Sequence, residues 1–257
     1  MPTISLAIQK GGSGKTTTAV NLAAALQQMG HRVLLIDLDP QANLTQAMGI
    51  LEEVEPSIYH EFQKVANGKP SDLSAIILQQ NGLELIPASL ELAGAELELV
   101  STYGREQLLS RMLKPLKKEY EYILIDCPPA IGMLTVNSLV ASDFVLMPLQ
   151  AEFLPLKGVM SFLRHFEKVR TTLNKKLKVL GFVLTRYDNR KTMNRSVLEQ
   201  LIGAYGDKVF QTRIRTNIAL AQAQEKGVDI FSFAPSSNGA QDYMELAREL
   251  LEKISGN

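Results

Sequence analysis

A doubly wound α/β fold, with a mostly parallel sheet flanked by helices, is what this sequence predicts, and three observations carry the prediction. Nearly continuous apolar runs recur along the chain, as strands covered on both faces require. Helical patterns alternate with them, and a βαβα order implies parallel pairing through crossover helices. The first run opens into a glycine-rich turn and then a helix, QKGGSGKTTTAVNLAAAL from position 9, the arrangement of a loop that cradles phosphate.

TISLAI (3–8) is the first predicted strand, and the first helix spans 15–29 with Gly30 as its stop. RVLLIDLD (32–39) and LELIP (83–87) are strands, and Ser89 with residues 90–100 starts a leucine-rich helical segment. YILIDCP (122–128), FVLMPL (144–149), KVLGFVLT (178–185) and KVFQTRI (208–214) supply the later strands. A last helix over 240–254 places Tyr243, Ala247, Leu250 and Ile254 on one face. Its polar side carries Glu245, Glu249 and Glu252 against Arg248 and Lys253, so this face is expected to pack on the sheet and not to anchor in a membrane, which would need a basic face.

The 257 residues, 46% of them hydrophobic, suffice for one large core. No Pro/Gly/Ser-rich tract, charge block or internal repeat offers a linker, so 1–257 is expected to be a single domain. Met1 leads almost directly into an apolar run without a basic n-region, and no stretch reaches membrane-spanning length, so a cytoplasmic protein is expected. The single cysteine, Cys127, excludes an internal disulfide framework and any all-cysteine zinc or iron–sulfur site within one chain. Net charge is zero, yet residues 1–150 hold 10 basic and 16 acidic side chains and residues 151–257 hold 17 and 11. That asymmetry hints at a polyanionic partner for the second half.

In a nucleotide-binding loop, backbone N–H groups point inward and the following helix adds its positive N-terminal end. Here the binding set runs through Lys10, Gly11, Gly12, Ser13, Gly14, Lys15, Thr16 and Thr17. The glycines permit close phosphate approach and positive φ, Lys15 reaches the β and γ phosphates, Thr16 offers a hydroxyl to Mg²⁺, and Thr17 adds contacts near the α phosphate. Two acidic clusters end apolar strands, Asp37 with Asp39 and Asp126. An acid driven directly out of a buried strand has a magnesium ion as its natural partner, and Asp126 is assigned to hold Mg²⁺ through water. Between residues 157 and 195 lie 11 basic side chains against Glu167 and Asp188, a net +9 in 39 residues, which suits phosphate backbone held without sequence readout.

The strict pattern GxxxxGK[ST] fails, because its first glycine falls on Gln9, while an additional lysine stands at Lys10. KGGSGKTT resembles instead the deviant Walker A motif, KGGxGKT[ST], of the ParA/MinD class of P-loop ATPases. The resemblance extends through DLDPQAN, DCPP and TRYDNR to the closing SSNGAQDYMELARELL. It implies ATP and Mg²⁺ as ligands and a homodimer in which Lys10 crosses to the partner's phosphates. By the same resemblance Asp39 orients the attacking water and Asp37 supports the metal shell, so Lys10, Lys15 and Asp39 form the catalytic set. A cation supplied in trans at the γ-phosphate stabilises transition-state charge and links hydrolysis to dimerisation.

GFVLTRYDNRKT resembles the strand and basic loop of partition ATPases, which places a DNA contact at Arg190, with Lys191 and Arg195 beside it. Where relatives read IPRNVRLSEAPSHG, this chain has TRIRTNIALAQAQEKG, with Arg215 for proline and Ala219 for a second DNA-contacting arginine. Either Lys191, Arg195, Arg213 or Arg215 compensates for that contact, or DNA affinity is weaker. The family implies a ParA/Soj-type ATPase, cytoplasmic and nucleoid-associated, that dimerises on ATP, binds DNA nonspecifically and is released when a ParB-like centromere-binding or cargo adaptor protein stimulates hydrolysis. Plasmid or chromosome is the expected cargo; positioning of a non-DNA cargo is the near alternative. A loop at position 10 leaves no room for an N-terminal helix-turn-helix, so operator repression is not expected. A MinD-like membrane-cycling division regulator is a second alternative. A metabolic enzyme is a third, where one cysteine excludes an iron–sulfur reductase and a ligase needs a small-substrate pocket.

Overall fold

The computed structural model describes residues 2–151 and 155–256, with side chains except at 117 and 155–157. Among the described residues, β1 (Thr3–Leu6), β2 (Val33–Asp37), β3 (Leu78–Gln80), β4 (Leu83–Ile86), β5 (Tyr122–Asp126), β6 (Phe144–Gln150), β7 (Lys178–Tyr187) and β8 (Val209–Arg215) form one sheet. Its order is β3-β4-β2-β5-β1-β6-β7-β8, and every neighbouring pair is parallel except β3 with β4. The helices are α1 (Lys15–Gln28), α2 (Asn43–Ala47), α3 (Ile58–Ala66), α4 (Leu92–Glu98), α5 (Leu108–Met112), α6 (Met133–Ala141), α7 (Pro155–Thr172), α8 (Thr192–Tyr205), α9 (Ile218–Glu225), α10 (Ile230–Phe233) and α11 (Asn238–Ser255).

The continuous apolar runs are two-sided strands. On β2, Leu34 and Ile36 enter one core while Val33 and Leu35 enter the other; on β5, Ile123 and Ile125 oppose Leu124 in the same way. Alternation at a period of two thus splits each run between the two helical layers. β1 carries Ile4 and Leu6 to the α1 side, and on its other face the Ser5 hydroxyl bonds those of Ser138 on α6 and of Ser142, which follows that helix, at 2.5 and 2.6 Å. Helix α1 is buried continuously from Thr18 to Leu26, because α11 covers the side that the sheet does not, with Tyr243 Oη 3.3 Å from Thr18 Oγ1.

Strand β8 is a sheet edge, and an edge leaves backbone donors unpaired. The amides of Gln211 and Thr212 donate to the Glu249 carboxylate, each at 2.8 Å, and the Arg215 amide donates to Asp242 Oδ2 at 2.8 Å. Acids of α11 therefore close this edge. The face predicted for the last helix is core: Tyr243, Ala247 and Leu250 are buried and Ile254 is partly so. Among the described residues no helix is long and apolar enough to cross a membrane.

Three local expectations change. Strand β3, LQQ, escapes prediction because three residues, two of them polar, carry no period. The helix expected from Ser89 begins at Leu92 and ends at Glu98, followed by a 3₁₀ turn over Leu99–Ser101. Ser89 does not cap it: its hydroxyl bonds that of Ser57 at 2.9 Å, and its carbonyl accepts from the Leu92 amide in the preceding turn. The first helix stops one residue early at Gln28, with Gly30 in the left-handed region at φ 91° as expected of a C-terminal stop.

Candidate active site

The glycine-rich loop leaves β1 at the centre of the sheet, between β5 and β6, and enters α1. Gly12 and Gly14 take φ of 68° and 90°, conformations that a side chain resists. At Gly14 a Cβ would also lie 3.3 Å from Thr185 Cγ2. Gly11 differs from expectation: it is not in the left-handed region, and a Cβ there would meet nothing within 4 Å. The next two strands of the sheet, β6 and β7, hold the loop from outside. Gln150, ending β6, donates from Nε2 to the Gly12 carbonyl, and Thr185 of β7 donates to the Ser13 carbonyl at 2.9 Å. Lys15 is buried, with Nζ 3.5 Å from the Lys10 carbonyl; the Lys10 side chain is only partly buried and makes no ion pair among the described residues. The Ser13 hydroxyl is buried without a partner among the described residues.

Asp37 and Asp126 stand opposite each other in register at the carboxyl ends of β2 and β5, where open α/β sheets bind ligands. Thr16 Oγ1 donates to Asp126 Oδ2 at 2.6 Å, joining the end of the loop to the sheet. Asp126 Oδ1 is buried with no partner among the described residues. Burial foremost, and then the Asp37 charge, push the Asp126 carboxyl up to about 8, against the opposing pull of Thr16 and Lys15. A buried carboxylate short of counter-charge and of one hydrogen bond, next to a threonine hydroxyl, is the donor set a hard divalent cation takes. Asp126 and Thr16 therefore fit Mg²⁺.

Asp37 is occupied differently. Its Oδ2 accepts from the Thr45 amide and hydroxyl at 2.8 and 2.7 Å, and its Oδ1 accepts from the Asp39 amide at 3.1 Å. Burial raises its carboxyl to about 6. These bonds shape the turn that carries Asp39, whose Oδ1 accepts from the Gln41 amide at 3.0 Å. Ala42, in the left-handed region at φ 51°, completes that turn before α2.

Beside the loop, a cavity of about 540 Å³ lies between the end of β7, the loop after β8 and α9, and Gly12, Thr17, Thr185 and Tyr243 are among its lining residues. Thr17 Oγ1 donates across its edge to Gln224 Oε1 at 3.2 Å. Sequence reasoning missed Gln150, Thr185 and Gln224. A threonine at the end of the KVLGFVLT strand was a faint signal for one of them, and the other two gave none, because only the sheet order brings their segments to the loop.

The basic residues assigned to DNA cluster after β7. Arg190 is 90% exposed but held by Asp188, with Nη2 2.9 Å from Oδ2. Lys191 is exposed at the start of α8. Arg195 braces the loop through the Asn189 carbonyl and the Thr192 hydroxyl. Arg215, one of the replacements for the arginine missing at Ala219, is committed to the buried Asp242 by contacts of 2.9 and 2.6 Å. The Lys157 side chain, part of the basic count, lies outside the described residues.

Residues 1–179 match the family model described as AAA domain. Over 248 residues, 96% of this chain and 97% of the other, the sequence is 42% identical to the sporulation initiation inhibitor protein Soj of Bacillus subtilis. It is also 42% identical over 251 residues to the chromosome-partitioning ATPase Soj of Thermus thermophilus, covering 98% and 96%. Among solved structures, the cobyrinic acid a,c-diamide synthase of Mycobacterium smegmatis with bound ATP analogue and magnesium superposes with a TM-score of 0.85 at 36% identity, over 99% of this chain and 96% of that one. The septum site-determining protein MinD of Pyrococcus horikoshii complexed with Mg-ADP superposes with a TM-score of 0.77 at 25% identity, over 99% and 97%.

Proposed function

The chain belongs to the Soj/ParA family of partitioning ATPases, and from that premise we propose that it is a single-domain, Mg²⁺-dependent ATP switch that dimerises on ATP, grips DNA without sequence preference and lets go on hydrolysis. The observation that carries this function is the division of labour between two lysines. Lys15 is buried against its own loop, 3.5 Å from the Lys10 carbonyl, whereas Lys10 is partly exposed and free of carboxylates among the described residues. A second protomer is the natural destination for that unused charge.

In the proposed site the loop amides, Lys15 and the N-terminus of α1 bind the phosphates. Thr16 and Asp126 would hold Mg²⁺, Asp126 through water, and the ion would neutralise charge on the phosphate oxygens. Asp39 orients water in line with the γ-phosphate, which asks for positioning more than basicity. Asp37 acts through Asp39: bonded to Thr45 and to the Asp39 amide, it supports the turn and, through it, the metal shell. The 540 Å³ cavity beside Gly12 and Thr17 takes the nucleoside end of ATP. Lys10 of each protomer stabilises charge developing in the other's site, so hydrolysis and dimerisation rise and fall together.

DNA contact is proposed for Arg190, Lys191 and Arg195, on a nucleoid-associated cytoplasmic protein whose hydrolysis is stimulated by a ParB-like centromere-binding or cargo adaptor protein. Chromosome or plasmid is the cargo that fits the family. Duplex affinity measured with ATP, ADP and no nucleotide tests the scheme: ATP-dependent binding with a steep salt slope is expected, and binding indifferent to nucleotide would refute it. ATP-dependent sedimentation with liposomes instead of DNA would favour the MinD-like alternative. Phosphate release that requires an amide donor such as glutamine would favour the synthase chemistry of the mycobacterial neighbour.

A further inference from the structure

We propose that Arg213, on the edge strand β8, is the second backbone-phosphate contact of this chain, standing in for the arginine absent at Ala219; the assignment rests on the DNA-binding function proposed above. A groove of about 790 Å³ runs between the loop after β7 and the β8–α11 edge, and Arg190, Arg213 and Arg215 all line it. Three guanidiniums in one groove are not equivalent. Arg190 is paired in bidentate fashion with Asp188, Nε to Oδ1 at 3.0 Å and Nη2 to Oδ2 at 2.9 Å. Arg215 is paired likewise with Asp242, and its own amide reaches the same carboxylate at 2.8 Å. Each of these pairs is close to neutral when seen from the groove.

Arg213 differs. Among the described residues it makes no ion pair and no hydrogen bond, and its Nε is buried without an acceptor. It lies over the Tyr187 ring, whose centroid is 5.4 Å from Cζ. An aromatic face restrains a guanidinium at little cost to its charge, so the fork is held in place with its donors unused. A phosphate, which takes two parallel N–H bonds from arginine, is the ligand this arrangement lacks. Of the other acids lining the groove, Asp188 and Asp242 are already paired, and the remaining Glu245 acts on Arg215. Lys191, exposed where the same loop enters α8, extends the uncompensated charge beyond the groove. A continuous line of phosphates a few ångströms apart, as in duplex DNA, meets Arg213 and Lys191 together.

The test is the anisotropy of a labelled random-sequence duplex titrated with the full chain and ATP, between about 50 and 200 mM salt. Arg213→Ala should weaken binding about tenfold and lower the slope of log affinity against log salt by about one for each engaged protomer. Arg213→Lys keeps the charge and should keep most of the slope, which a merely structural loss would not restore. Wild-type affinity and slope in Arg213→Ala, alongside a clear loss in Lys191→Ala, would overturn the Arg213 assignment and leave DNA binding standing. No duplex binding by the ATP-loaded wild type would overturn both.

Discussion

Replacing Asp126 by asparagine should change how stability depends on pH, in a direction the site fixes. Aspartate in an unfolded chain titrates at about 4, whereas burial and Asp37 push Asp126 up to about 8 in the folded protein. Between those values the folded state holds a proton that the unfolded chain has released. The folded state binding more protons makes stability fall as pH rises through that window, by at most about 1.4 kcal/mol per pH unit for one group. From pH 5 to pH 7 the nucleotide-free wild type should therefore lose roughly 3 kcal/mol relative to Asp126→Asn, which has no proton to exchange. Asp37, raised to about 6, adds a fall below pH 6 that both proteins share. Urea denaturation at fixed ionic strength in EDTA, over pH 5 to 8, measures the difference. MgADP should flatten it, because the metal takes the carboxylate form and its affinity rises as Asp126 deprotonates. A wild-type minus mutant difference that stays level across pH 5 to 8 would show that burial does not control this carboxyl, and the case for Asp126 as a cation-seeking group would fail with it.

Lys10→Ala should abolish ATP-dependent dimers in size-exclusion chromatography and cut hydrolysis at least tenfold while nucleotide affinity changes little; normal turnover would make Lys10 a solvated loop charge. Asp39→Ala should retain ATP and accumulate dimer, seen as co-eluting unhydrolysed nucleotide, and wild-type turnover would remove Asp39 from the water-positioning role. Gly14→Ala forces a side chain to φ 90° against Thr185 at 3.3 Å; a stability loss of about 1–2 kcal/mol in urea is expected, with weaker MgADP binding by calorimetry. Asp242→Ala frees the Arg215 guanidinium and amide together, and because Arg215 is 45% exposed while Asp242 is 4%, the cost is discounted to about 2–3 kcal/mol. An unchanged denaturation midpoint would show that this pair does not hold the β8–α11 edge.

What the sequence by itself determined is what local chemistry determines. The run from TISLAI through KGGSGKTT to the alanine-rich helix specifies strand, loop and helix because positive φ, phosphate approach and helix start all fall within a few residues. The two-sided strands were legible because burial on both faces leaves no polar alternation. Resemblance over those same motifs led to the family before any geometry, and the family is now shown by relatives spanning almost the entire chain. The tertiary structure decided whatever depends on distant segments meeting. Thr16 and Asp126 lie 110 positions apart and Ser13 and Thr185 lie 172 apart, and only the order of strands joins them. Local composition also could not say which charges are already neutralised. Counted along the chain, Arg190, Arg213 and Arg215 are equal cations; in the fold, Asp188 and Asp242 cancel two of them and Tyr187 leaves the third with its donors open. A charge is felt only through what lies within a few ångströms of it, and that distance is set by packing.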